Sequence, residues 1–121
     1  MKVISYKDLL IWNKGIEIVK DIYKLTEKFP ESEKYAIINQ MHRSAISIPL
    51  NIAEGQARQH TKEFVQFLYI ALGSLAELDT QLIIARDLEY INGDNLNGLD
   101  LKIVELRKMI RSIISKLAVR N

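Results

Sequence analysis

The chain contains no cysteine, only two prolines and few aromatic residues, 7% of the total. Without cysteine there is no disulfide framework, no thiolate nucleophile and no cysteine-ligated zinc. A reducing cytoplasm is its natural setting. Histidine is almost as scarce. His42 and His60 stand alone, outside any metal-ligand spacing, so no metal site is expected. There is no phosphate-cradling glycine loop and no nucleophile elbow. No catalytic residue, no enzyme activity and no cofactor are therefore expected. Charges interrupt the apolar patches every few residues, so no membrane span is expected either. The first residues, MKVISYKDLLIWNK, lack a long apolar core and a small-residue cleavage site, which argues against a signal peptide.

What is present is aliphatic and periodic. The 121 residues suit one domain, 1–121. A 48% hydrophobic share beside 26% charged residues is that of a globular chain, not a disordered one. Breaks fall only near Phe29-Pro30, from Gly55 to Thr61, and at Asn92-Gly93-Asp94-Asn95, which leaves four helical pieces. No strand-type alternation persists.

The first helix is expected from about Lys7 to Lys28. It has two apolar stripes, one of Leu9, Trp12, Ile16, Val19 and Tyr23, the other of Ile11, Ile18, Ile22, Leu25 and Phe29. Gly15 inside it is either a close contact or a tolerated surface glycine. The second helix is expected from Glu31 or Ser32, with a kink or local break at Pro49 and a left-handed residue or fraying at Gly55. The third opens with Thr61 as its N-cap and closes at Asn92-Gly93. The fourth starts near Asp94. Such pieces pack most simply as an all-α, antiparallel up-down-up-down four-helix bundle. The apolar surface of the first and third helices exceeds what one bundle buries, which points to a homo-oligomer.

A polar file interrupts the second helix. Gln40, Arg43, Ser47, Asn51, Glu54 and Arg58 recur at spacings of three and four, on one helical face. Folding the chain back at His60, in equal steps from the turn, sets Arg43 against Glu77, Ser47 against Gly73 and Ser74, Gln40 against Gln81, and Glu54 against Gln66. A structural inter-helix network is expected from Gln40, Arg43, Ser47, Asn51, Glu54, Ser74, Glu77 and Gln81, with Gly73 allowing close approach. Arg43 and Glu77 are expected to pair, since a lone buried charge is costly. Glu54 and Glu77 could form an acid/base pair, but neutralised structural carboxylates explain them better.

Charge is uneven along the chain. Residues 61–91 hold two basic and five acidic residues, whereas 92–121 hold six basic and three acidic. Lys14, Lys20, Lys24, Arg58, Arg107, Lys108 and Arg111 are the candidates for contact with nucleic-acid phosphates, if one face gathers them. No base-reading motif accompanies them. The competing function is an oligomeric scaffold that binds a protein partner through helix surfaces.

Several motifs occur together: Phe29-Pro30, Gln40 with Arg43, Ser47-Ile48, Asn51-Ile52-Ala53-Glu54-Gly55, and Ala71-Leu72-Gly73-Ser74-Leu75-Ala76-Glu77-Leu78. Over almost its whole length the chain resembles the 23S rRNA intervening-sequence proteins. It departs from them at Gly15, where alanine is usual, and at Glu89, where glycine is common. The resemblance implies a four-helix bundle assembled as a homopentameric barrel. It also implies kinship with the accessory protein of diversity-generating retroelements, and so RNA, DNA or a reverse transcriptase as partners. It implies no settled biochemical activity.

Overall fold

The computed structural model describes residues 5–96 and 98–120. Four long helices account for most of them, and no strand occurs among the described residues. Helix α1 is Leu10–Thr26, α2 is Asn39–Ala57, α3 is Thr61–Asp87 and α4 is Leu99–Arg120. A 3-10 turn, Tyr6–Asp8, replaces the first turn expected of α1. Asn13 ties that turn down by donating its amide hydrogens to the carbonyls of Lys7 and Leu9, at 3.2 and 3.1 Å.

The second helix begins later than its acidic residues suggest. Glu31–Glu33 forms a 3-10 turn and Lys34–Ile38 a wide turn, broken at Ala36 by φ −119° and ψ −108°. No residue of these two turns is buried, so packing does not hold them to the register of α2. Pro49, by contrast, does not break α2. Its ring is buried against Gly15 of α1. A Cβ built on Gly15 would lie 3.4 Å from both Cβ and Cδ of Pro49. Gly15 is thus buried at a helix crossing, not a tolerated surface glycine.

Helix α1 packs against α2 and α4, and α3 packs against the same two, so α1 and α3 lie on a diagonal. The core between them is aliphatic: Ile11, Ile18 and Ile22 of α1, Met41, Ile48 and Ile52 of α2, Leu68, Leu75 and Leu78 of α3, and Leu99, Ile103 and Leu106 of α4 are each almost wholly buried. Burying such side chains contributes about 1.5–3 kcal/mol each. Of the two apolar stripes of α1, only the isoleucine stripe enters this core. The stripe containing Trp12 and Val19 packs at its edge.

Ends and crossings differ from expectation in informative ways. Thr61 is the first residue of α3, with His60 in the cap position and no side-chain cap. Helix α3 stops at Asp87, well before Asn92. Glu89 takes a left-handed φ of 64°, and Tyr90 N–H donates to Ala85 O while Glu89 N–H donates to Arg86 O, both at 2.9 Å. This pair of bonds is the Schellman closure. Asp94 lies in the 3-10 turn Gly93–Leu96, and α4 starts after Gly98, which has φ 78°.

Gly55 lies inside α2 and is buried. It marks the tightest α2–α3 crossing, where an added Cβ would stand 2.6 Å from Phe67 Cβ. Gly73, expected at that crossing, is exposed with open space around it. One step of sequence turns a helix by about 100°, so Ser74 faces α2 and Gly73 faces away. Helix α3 is also long and apolar enough, by length and composition alone, to cross a membrane. No such segment is expected from the sequence, where charges interrupt the apolar patches. Both the core side and the outer side of α3 are apolar: Ile70, Ile83 and Ile84 are half exposed.

Candidate functional site

The polar file of α2 divides between two settings. Its buried part meets α3. Ser74 Oγ donates to Ser47 Oγ at 2.8 Å. Asn51 Nδ2 donates to the Ser47 carbonyl at 2.7 Å and to Ser47 Oγ at 2.8 Å. Gln81 Nε2 donates to Ser44 Oγ at 3.1 Å. Ser44 is absent from the network drawn from sequence, although it stands one turn after Gln40 at the spacing that selects the others. Numbers rising along α2 thus meet numbers falling along α3.

The remaining part of the file opens to solvent. Gln40, Arg43, Ser44, Ser47, Glu77 and Gln81 line a polar groove of about 410 Å³. Arg43 and Glu77 share this groove, but no ion pair joins them among the described residues. Both are exposed, so water solvates each charge and burial does not force them together. Gln81 Oε1 is buried without a hydrogen-bond partner. Among the described residues no hydrogen bond joins Glu54 to Gln66. Glu54 pairs with Arg58 one turn on, at 3.3 Å.

His42 is fixed between α1 and α2. Its ring stacks on Tyr23, centroids 3.8 Å apart and planes 13° apart, and its Nε2 lies 2.9 Å from Thr26 Oγ1. Thr26 uses its one hydroxyl hydrogen on the Tyr23 carbonyl, 3.2 Å away. His42 is therefore the donor, as the Nε2–H tautomer. Burial pushes its pKa below the ordinary histidine value.

The seven candidate cations differ in whether an acid holds them. Lys14 Nζ pairs with Glu105 at 2.8 Å, and that hydrogen bond holds the lysine pKa above its usual value. Arg58 bridges Glu54 and Glu63, the latter at 3.5 Å, and its guanidinium lies over Phe67. Lys20, Lys24, Arg107, Lys108 and Arg111 make no ion pair among the described residues. Lys102 and Glu105 face α1 through ion pairs with Asp21, at 2.7 Å, and Lys14. Arg107 and Arg111 share a different face of α4 by their spacing of four. The Asp21–Lys102 pair has no signature in the sequence, because it depends on the α1–α4 register.

A second groove, of about 340 Å³, runs between α1 and α2. Its walls include Trp12, Ile16, Val19, Ile46, Pro49 and Leu50. It is apolar almost throughout, and Leu50 at its lip is exposed. Among the described residues no group of three His, Cys, Asp or Glu side chains could hold a metal ion.

The sequence model of the 23S rRNA-intervening sequence proteins matches residues 7–112. The chain belongs to this family. The match takes in α1, α2, α3 and α4 as far as Ser112, and so includes all seven candidate cations. A solved structure from Bacteroides thetaiotaomicron VPI-5482, a protein with unknown function from the S23 ribosomal protein family, is similar to this family member. It is 27% identical, superposes with a TM-score of 0.79, and the alignment covers 87% of this chain and 98% of that one. No curated protein matches the chain.

Proposed function

We propose that this protein is a non-enzymatic, self-associating bundle that binds nucleic-acid backbone through the outer faces of α4 and α1. The observation that carries the reading is the state of the cations. Among the described residues, Arg107, Lys108 and Arg111 crowd into little more than one turn of α4 without an ion pair, and Lys20 and Lys24 of α1 are likewise without one. Unpaired cations are available for phosphates without first losing an acidic partner. Lys14 and Arg58 have acidic partners and contribute less. Assembly would repeat the α4 cluster on every copy, which raises avidity without new contacts.

The contacts along α2 and α3, and the Lys14–Glu105 and Asp21–Lys102 pairs between α1 and α4, support an antiparallel up-down-up-down course of the four helices. The exposed apolar residues of α3 and the α1–α2 groove support a homo-oligomer. The pentamer comes from the family resemblance. The same apolar surfaces favour a second reading, in which the assembly holds a protein partner by helix-in-groove contacts.

The test is retention of mixed single- and double-stranded RNA and DNA as a function of salt. Binding should weaken linearly on a logarithmic salt scale, and replacing Arg107, Lys108 and Arg111 by glutamine should reduce that slope by about three. No retention at low salt, with the assembly intact, would remove the nucleic-acid reading and leave the protein scaffold.

A further inference from the structure

We infer that the polar groove between α2 and α3 holds a small zwitterion, a molecule that carries one ammonium and one carboxylate group. This goes beyond nucleic-acid binding and does not depend on it, because α2 and α3 form the side of the bundle away from the α1–α4 pair.

The two walls of the groove offer opposite chemistry. On α2, Arg43 brings a guanidinium, which only donates hydrogen bonds, and Ser47 follows it by one turn. Ser47 Oγ already accepts from Ser74 and Asn51, so its own hydrogen is what it has left to give. On α3, Glu77 brings a carboxylate, which only accepts, and Gln81 follows it by one turn. Gln81 Nε2 is engaged by Ser44, while Oε1 is buried without a partner. Exchanging the two ends of that amide would move the unmet bond to Nε2 without removing it.

One wall thus gives hydrogens and the other takes them. Arg43 and Glu77 face the same groove, yet no ion pair joins them among the described residues. A ligand carboxylate at Arg43 gains charge-assisted hydrogen bonds. A ligand ammonium has three N–H donors, enough to serve Glu77 and the orphaned Gln81 Oε1 together. A buried amide oxygen without a partner is rare and costly, so the ammonium end relieves a deficit that the fold leaves in place.

The lining excludes other ligands. Gln40, Arg43, Ser44, Ser47, Glu77 and Gln81 include no aromatic face on which a nucleobase could stack, and no apolar wall for a lipid chain. A lone phosphate would meet Glu77 as a like charge. The volume of about 410 Å³ has room for a molecule of amino-acid size. Arg43 and Glu77 are exposed, and solvent screens both charges, so Kd is on the order of 1 mM.

The test is an amide NMR titration of the full chain with glycine, β-alanine and γ-aminobutyrate, whose charges lie progressively farther apart. At least one should shift the signals of residues 40–47 and 74–81 and the side-chain amide of Gln81. The length that binds best reads the reach from Arg43 to Glu77. The trimethylated form of that ligand keeps both charges but has no N–H, and should bind at least ~10-fold more weakly. Acetate and methylammonium, each with one charge, should do the same. Arg43→Gln and Glu77→Gln should each weaken the best ligand at least ~10-fold. Both positions are exposed, so circular dichroism should show the fold unchanged.

If none of the three ligands moves these signals at tens of millimolar, the groove is merely solvated and the inference falls. It also falls if the trimethylated form binds as well as its parent, or if neither variant weakens binding. Guanosine monophosphate seated in the groove more tightly than all three would assign the site to a base and overturn the inference. None of these outcomes changes the salt-dependent retention of RNA and DNA, so the two readings fail separately.

Discussion

Gly55 of α2 lies so close to Phe67 of α3 that a Cβ on the glycine would stand 2.6 Å from the Cβ of the phenylalanine. Phe64 crowds the same spot, its carbonyl oxygen 3.3 Å away. The contact is with the root of a side chain and with backbone, neither of which can swing aside. Gly55→Ala should therefore destabilise the bundle by about 2 kcal/mol through overpacking, despite the better helix propensity of alanine. Urea unfolding followed by circular dichroism measures this, and an unchanged midpoint would show that the helices part at little cost.

Glu89 occupies the left-handed residue of the Schellman closure after α3. A side chain there costs roughly 1–2 kcal/mol, partly offset by the greater entropy glycine loses on folding. Glu89→Gly should stabilise the protein by about 1 kcal/mol and raise its melting temperature by roughly 3–5 °C. A thermal melt reads this directly.

Ser47 accepts hydrogen bonds from both Ser74 and Asn51. Ser47→Ala leaves the buried Ser74 hydroxyl without its partner and should cost about 2 kcal/mol. Ser74→Ala removes one of two donors and should cost about 1 kcal/mol. The double variant should be little worse than Ser47→Ala alone. Additive losses in chemical denaturation would mean that the two serines act independently.

His42 is held neutral by burial, with its pKa below the ordinary value of 6.5. The unfolded chain then binds a proton that the folded chain resists, so stability rises with pH across this window. As pH falls through 6.5 toward the depressed folded value, the wild type should lose stability. His42→Gln should lack that component. The measurement is the melting temperature of both proteins between about pH 5 and pH 8. Parallel curves would show that burial of the ring does not oppose its protonation.

Much of the architecture was legible in the chain because its signals are local. The 3.6-residue periodicity and three clusters of breaking residues give four helices and the two apolar stripes of α1, though not which of the two is buried. The serine pairing across α2 and α3 follows from equal steps back from the turn at His60. Arg43 and Glu77 show where such counting stops. They share a groove without pairing, since counting residues gives proximity along two axes but not depth from solvent.

The same limit governs the candidate site. Composition and spacing nominated seven cations. Whether each is free depends on acids far away in sequence, as with Lys14 and Glu105. Sequence by itself determined the number and type of the helices, their apolar faces and the family. Only tertiary structure decided that Gly55, not Gly73, sits at the close crossing, that Pro49 leaves α2 unbroken against Gly15, and which cations an acid holds. The physical reason is angular. A single residue step turns a helix by about 100°, so the facing of each side chain is set only when neighbouring helices lock their register.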